Sequence, residues 1–262
     1  MAIAAEGRFL REKNELAMNQ SDNIDAGEIA RFSAMADIWW DRNGEFKALH
    51  DINPVRLAYV RDRTELAARQ VVDVGCGGGL LSESLASHGA RVTGIDMADA
   101  SLAVARMHMK DSGLVIDYRK TMAEALADEN PGRYDVVVCM ELLEHVPRPA
   151  SILEACARLA KPGGDLFFAT VNRTWLSWLL VIVAAEYMIG IVRKGTHEYK
   201  KLVKPEELMQ WGERAGLSVQ NLSGLRYIPL GGYAALCRST RMNYLMHFRK
   251  ETHGSLEQSS MV

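Results

Sequence analysis

The segment Val71-Val72-Asp73-Val74-Gly75-Cys76-Gly77-Gly78-Gly79 constrains this chain more than any other. A short apolar run carries one acid and then collapses into glycines. That reads as a buried parallel strand turning sharply into a helix. Glycines at such a turn leave no β-carbon between the backbone and a ligand. Two large classes of ligand are served by loops of this kind, and spacing separates them.

A dinucleotide loop needs G-x-G-x-x-G, so that a pyrophosphate sits on the helix N-terminus. Counted from Gly75 the third glycine falls at Leu80, and counted from Gly77 it falls at Ser82. Both registers fail. The pattern acid-x-Gly-x-Gly-x-Gly is instead filled by Asp73, Gly75, Gly77 and Gly79. It resembles the first motif of the class I S-adenosylmethionine-dependent methyltransferases, and the resemblance implies a loop that cradles the methionine part of that cofactor.

The 262 residues allow one domain with a full core, or one and a half. A net charge of −2 gives no reason to expect a nucleic-acid partner. Cys76, Cys139, Cys156 and Cys237 form no C-x-x-C pair, which argues for a reducing compartment and against zinc or disulfides. Each is expected to be a small packing residue, with Cys76 and Cys139 near each other at neighbouring strand ends. The N-terminus lacks a signal-peptide run, and Glu6, Glu12 and Glu15 weaken a transit-peptide reading. Residues 1–21 and 249–262 read as flexible tails around a domain at 22–248.

Ile29, Phe32, Ser33, Ala36, Trp39 and Trp40 fall on one helical face. Asn53 and Pro54 suggest the N-cap and first residue of a helix to about Ala68. From Val71 strand and helix alternate, with strands at 71–75, 91–95, 114–118, 134–140 and 164–170. Helices are expected near 80–88, 99–111, 121–128 and 149–160, and two further strands at 217–222 and 232–238. The expected fold is α/β of the class I methyltransferase (Rossmann-like) kind: a seven-stranded, mostly parallel sheet with helices on both faces. Its ligands bind beyond the carboxyl ends of the strands.

Asp96 ends the second strand, where an acid can accept hydrogen bonds from ribose hydroxyls; nicotinamide enzymes use the same device. Met140 ends the fourth, where a ligand base can lie or where a core methionine can pack. Arg56 can pair with the carboxylate of the methionine moiety or sit at the surface. Glu141-Leu142-Leu143-Glu144-His145-Val146-Pro147 follows the fourth strand. On a helical turn Glu141, Glu144 and His145 share one face. Two carboxylates and an imidazole there can hold magnesium or manganese. Without a metal, Glu144 and His145 can orient loops or accept a proton, so both are candidate catalytic residues.

Between the fifth strand and Lys204, the run from Thr174 to Lys194 approaches transmembrane length and apolarity. The chain must return to complete the same sheet, and Glu186 would sit inside a bilayer. A helical lid or membrane-contact segment over 172–204 fits better, and an ordinary buried hairpin over the pocket is the alternative. Either cover favours a greasy acceptor.

With these residues in hand, about 22–248 resembles the ubiquinone-biosynthesis O-methyltransferase family. The resemblance rests on Trp39-Trp40, on His50-Asp51-Ile52-Asn53-Pro54, on the Asp73–Gly79 loop, on Cys139 to Pro147, and on Lys194-Gly195-Thr196-His197. It implies cofactor contacts at Arg56, Asp73, Gly75, Gly77, Asp96 and Met140, and magnesium ligands at Glu141, Glu144 and His145. It implies polyprenyl phenol or quinol substrates and work beside other ubiquinone enzymes. The site of that work is a membrane surface: the cytoplasmic side of the inner membrane in a bacterium, the matrix face in a mitochondrion. Two readings stand beside it, a soluble methyltransferase of another phenol or carboxylate and a non-catalytic scaffold.

Overall fold

The computed structural model describes residues 23–175, 177 and 201–252. Asp25 caps helix α1 (Ala26–Ala34), its carboxylate accepting from the Gly27 and Glu28 N–H groups. A single tight turn at Ala36–Ile38 then delivers Trp39 and Trp40. Helix α2 runs from Lys47 to Arg61 with Pro54 inside it, not at its start. The expected N-cap role of Asn53 is therefore corrected. Its side chain instead donates to Ser84 Oγ at 2.8 Å. Ile52, Arg56, Tyr59 and Val60 are buried on either side of the proline, so packing offsets the lost backbone bond.

The alternation follows as β1 (Gln70–Val74), α3 (Leu80–Ala86), β2 (Arg91–Asp96), α4 (Asp99–Ser112), β3 (Asp117–Lys120), α5 (Ala123–Glu129), β4 (Tyr134–Met140), α6 (Pro149–Leu159) and β5 (Ala160–Val171). After the insertion come α7 (Pro205–Arg214), β6 (Leu217–Ile228), β7 (Tyr233–Cys237) and β8 (Asn243–Lys250). The sheet has eight strands in the order β3-β2-β1-β4-β5-β8-β6-β7. The first five are parallel; β8 lies antiparallel between β5 and β6.

Sequence reading found seven of these strands and missed β8. The reason is physical. Tyr244 to Phe248 is buried at every position, so no alternation marks it as a strand. Its His247 is tolerated because Nε2 meets Asp165 Oδ1 at 2.8 Å. β8 also carries order to Lys250, past the expected boundary at 248.

Period-two alternation divides the core. Val72, Val74, Val137 and Cys139 pack against α5, α6 and α7. Val71, Val136, Val138 and Met140 pack against α2, α3 and α4. Cys139 packs in the same core cluster as Cys156, and Cys76 lies in the cluster on the other face of the sheet, not beside Cys139 as expected, because successive strand residues face opposite sides. Most of the apolar run from Thr174 to Lys194, residues 1–21 and residues 253–262 lie outside the described residues. Among the described residues no helix is long and apolar enough to cross a membrane.

Candidate active site

Strand order reverses between β1 and β4, and a crevice is expected at the carboxyl ends there. A cavity of about 370 Å³ occupies that place. Arg56, Asp73, Gly75, Gly77, Asp96, Met140, Glu141, Glu144 and His145 all line it, so every candidate from the sequence reaches one site.

Two acids tie the glycine loop down. Asp96 accepts from Gly77 N at 2.9 Å with one oxygen and from Ala98 N at 2.8 Å with the other. Burial raises its pKa, and those backbone bonds partly oppose the rise. Asp73 accepts from Ser82 Oγ at 2.6 Å, joining β1 to α3. Burial above all, helped by the charge of Asp96, pushes Asp73 up to about 6.

Arg56 is only 5% exposed, so it is no surface arginine. Its guanidinium donates to Glu141 Oε1 at 2.7 Å. Among the described residues its Nε has no partner, nor have Asn53 Oδ1 and Ser101 Oγ, and all three residues line the cavity. Buried polar atoms left open in this way suit a polar ligand. Seven carboxylates (Asp25, Glu28, Asp73, Asp96, Glu124, Glu141, Glu144) face two arginines across the walls. That balance suits a donor carrying a sulfonium and an ammonium. S-adenosylmethionine therefore fits the residues present.

The metal expectation fares differently. Glu141 is not on a helical turn; its φ is +55°, a left-handed backbone uncommon for a residue with a β-carbon. The helical turn begins only at Leu143. Glu141 thus turns to Arg56, while Glu144 accepts from Thr170 Oγ1 at 2.7 Å. His145 Nδ1 lies 2.9 Å from Glu28 Oε2. Among the described residues no three His, Cys, Asp or Glu side chains are grouped to hold a metal ion. As they stand, the three expected ligands do not fit magnesium.

What they do form is a proton-handling wall. Burial, then the charge of Glu141, raises the Glu144 carboxyl. Burial is also the largest influence on His145 and lowers its pKa. The Glu28 hydrogen bond and the charges of Glu144 and Glu28 together outweigh it, leaving the imidazole above its ordinary value. Phe32 meets the His145 ring edge-on at 5.3 Å.

Glu28 is a residue that sequence reasoning missed. It lies one position before Ile29, off the apolar stripe, where it reads as a solvated acid. In the sequence Trp39 and Trp40 read as an aromatic helix end and as part of the family resemblance, with no place in the site assigned to them. In the fold they cap the glycine loop. A β-carbon on Gly77 would lie 2.3 Å from the Trp39 ring, and Gly77 has φ +52°, so glycine is needed twice over. Trp40 Nε1 donates to Gly78 O at 3.0 Å, and its ring stacks on His108 at 3.4 Å.

Residues 72–168 match the family described as a methyltransferase domain. Ubiquinone biosynthesis O-methyltransferase of Pseudomonas aeruginosa (strain UCBPP-PA14) is 49% identical over 229 residues, 87% of this chain and 99% of its own length. The protein of that description from Stutzerimonas stutzeri (strain A1501) is 50% identical over 230 residues, covering 88% of this chain and 99% of the relative. Among solved structures, magnesium protoporphyrin IX methyltransferase from Synechocystis PCC 6803, with bound SAH, superposes with a TM-score of 0.61 at 16% identity. It covers 85% of this chain and 94% of that one. At that identity the likeness speaks for the fold alone. Glycine loop, acid-tipped strands and relatives agree: this chain is an S-adenosylmethionine-dependent methyltransferase and belongs to the ubiquinone biosynthesis O-methyltransferase family.

Proposed function

We propose that the chain methylates phenolic oxygens of polyprenyl catechol and demethylubiquinol intermediates, with His145 as proton acceptor and Glu28 as the group that positions it. The observation that carries this reading is the His145–Glu28 contact inside the cavity that also holds Asp73, Gly77 and Asp96. In this reading Arg56 meets the cofactor carboxylate, Asp96 its ribose, Met140 its base, and Gly75 and Gly77 its methionine backbone.

The sulfonium supplies a reactive methyl group, so the protein must align and ionise the acceptor. A phenol with a pKa of about 10 is a poor nucleophile at neutral pH. Glu28 engages His145 Nδ1, which leaves Nε2 to take the phenolic proton. The imidazolium so formed sits beside Glu28 and Glu144 and is stabilised there. The oxygen then attacks the methyl carbon, and the C–S electron pair returns to sulfur. Alignment of the three atoms supplies much of the remaining acceleration.

Magnesium at Glu141, Glu144 and His145 is kept as a proposal through which no step runs. A cation there requires Arg56 to release Glu141 and Glu28 to release His145. Loss of turnover on chelation, its return with magnesium, and insensitivity of residual turnover to magnesium in Glu141→Gln would establish the ion. Full turnover in chelator would remove it. Peripheral work at the cytoplasmic face of a bacterial inner membrane, beside other ubiquinone enzymes, is supported by the apolar run after Thr174 and by the substrates' lipid tails.

The deciding experiment is a mass-spectrometric assay of S-adenosylmethionine with a short-chain demethylubiquinol. Methylated quinol is expected, with loss in His145→Gln. Methylation of simple phenols but not of the quinol would favour the soluble alternative.

A further inference from the structure

Helix α1 is a wall of the cavity and not of the core. Ile24 and Asp25 at its entry and Glu28, Ile29, Arg31 and Phe32 along it line the cavity, yet none of its nine residues is buried. It rests on α4 and on the tight turn at Ala36–Ile38, and neither of those carries His145. Glu28 is aimed from within the helix, because Arg31 Nη2 donates to its Oε2 at 2.7 Å. That same oxygen meets His145 Nδ1. With the carboxylate aimed in this way, the placement of α1 itself is what brings Glu28 to His145.

Asn23 supplies that placement. It is 3% exposed, and its side chain bonds to groups remote in the chain. Oδ1 accepts from Arg148 N at 2.7 Å. Nδ2 donates to Arg148 O at 3.3 Å and to Glu124 Oε1 at 2.7 Å. Ser151 Oγ donates to the same Glu124 oxygen at 2.8 Å, which ties α5 to α6 beneath the clamp. Arg148 stands three residues after His145, and Asn23 stands five before Glu28. One clamp therefore holds the roots of two short arms whose tips are 2.9 Å apart. Lys201 Nζ also reaches Asp25 Oδ2 at 3.0 Å, but that pair is open to water and holds weakly. A hydrogen bond to a carboxylate away from water is the stronger tie.

We propose that Asn23 is a positioning residue for methyl transfer: it clamps the entry of α1 to the loop after His145 and so keeps Glu28 on Nδ1. Both of its amide protons are spent on the clamp, so it acts on the reaction through Glu28. This deepens the reading of His145 as proton acceptor and rests on it.

The test uses the full chain, S-adenosylmethionine and a short-chain demethylubiquinol, with turnover read by mass spectrometry and cofactor affinity by calorimetry. Asn23→Ala should lower kcat about tenfold, the scale on which a misplaced proton acceptor loses its effect. Its Kd for S-adenosylmethionine should stay level, because Arg56, Gly77 and Asp96 lie on other elements. In a Glu28→Gln background the same change should cost nothing more, since the contact it serves is already gone. Asn23→Asp sets a second carboxylate against Glu124 and should lose as much turnover. Adding Glu124→Gln restores a donor with its direction reversed, and most of the turnover should return. A merely structural loss at Asn23 would be deepened by that second change. Unaltered kcat in Asn23→Ala, losses that multiply with Glu28→Gln, an equal weakening of S-adenosylmethionine, or no recovery on adding Glu124→Gln would each overturn the clamp. Full turnover in His145→Gln would count against the proton-acceptor reading instead. Where His145→Gln is inactive and Asn23→Ala is unimpaired, only the clamp falls.

Discussion

His145 shows how a residue's chemistry is set by neighbours far away in the chain. Its Nδ1 is held by Glu28, 117 positions earlier, at 2.9 Å. As a base it must be neutral, so turnover should rise with pH through its elevated pKa. Glu28→Gln removes the carboxylate that favours the proton. The acid limb of kcat/KM should then move to lower pH, while kcat falls by about tenfold to a hundredfold and KM for S-adenosylmethionine stays level. A pH–rate profile that does not move would remove Glu28 from this role. Asp73 permits a stability test. Its folded pKa of about 6 exceeds the 3.8 of an ordinary aspartate. The folded state thus favours the proton, and the associated stability is full below pH 3.8 and lost as pH rises through about 6. Asp73→Asn keeps an acceptor for Ser82 and never ionises. Its melting temperature relative to the unaltered apoprotein should climb between pH 4 and pH 7, and a flat difference would count against the buried charge.

The elements differ in how much of them was visible in the sequence. Strand β4 was read at its full span, Tyr134–Met140, because apolar residues run from an aromatic start to an acid stop. The helix expected near 99–111 is α4, and Gly113 closes it at φ +68°, a left-handed stop that glycine adopts without strain. Helix α2 was misread because Asn53-Pro54 carries a strong start signal that packing overrules. The tryptophan turn after α1 belongs to the element scale as well, since its two rings act as one cover over Gly77 and Gly78. Trp40→Phe keeps the ring and removes the bond to Gly78 O. A loss of about 1 kcal/mol is expected, which calorimetry should record as a roughly fivefold weaker affinity for S-adenosylmethionine. Unchanged affinity would mean that the cover does not hold the loop.

For the whole molecule, the β6–β7–β8 half frames an active site it does not line. β8 bridges the parallel sheet to the hairpin, and Asp165 on β5 ties to His247 and Arg249 on β8. Gly224 sits where β6 meets both neighbours, and a β-carbon there would lie 1.8 Å from Ser239 O. Backbone on backbone cannot yield cheaply, so Gly224→Ala should lower the melting temperature by several degrees, a destabilisation of about 2 kcal/mol or more. A melt equal to that of the unaltered chain would show that this junction can open without cost.

By itself the sequence determined the alternation of strand and helix, the place of the glycine loop, and the set of acids and the histidine at the strand ends. Those are local facts: period, turn chemistry and motif spacing act over a few residues and leave a readable pattern. The tertiary structure alone decided that Glu141 belongs to Arg56, that His145 belongs to Glu28, that two tryptophans cover the loop, and that β8 lies inside the sheet. Each of these joins residues remote in the chain. Burial makes such pairings decisive, because a charge or amide taken out of water must find its partner wherever the fold brings one.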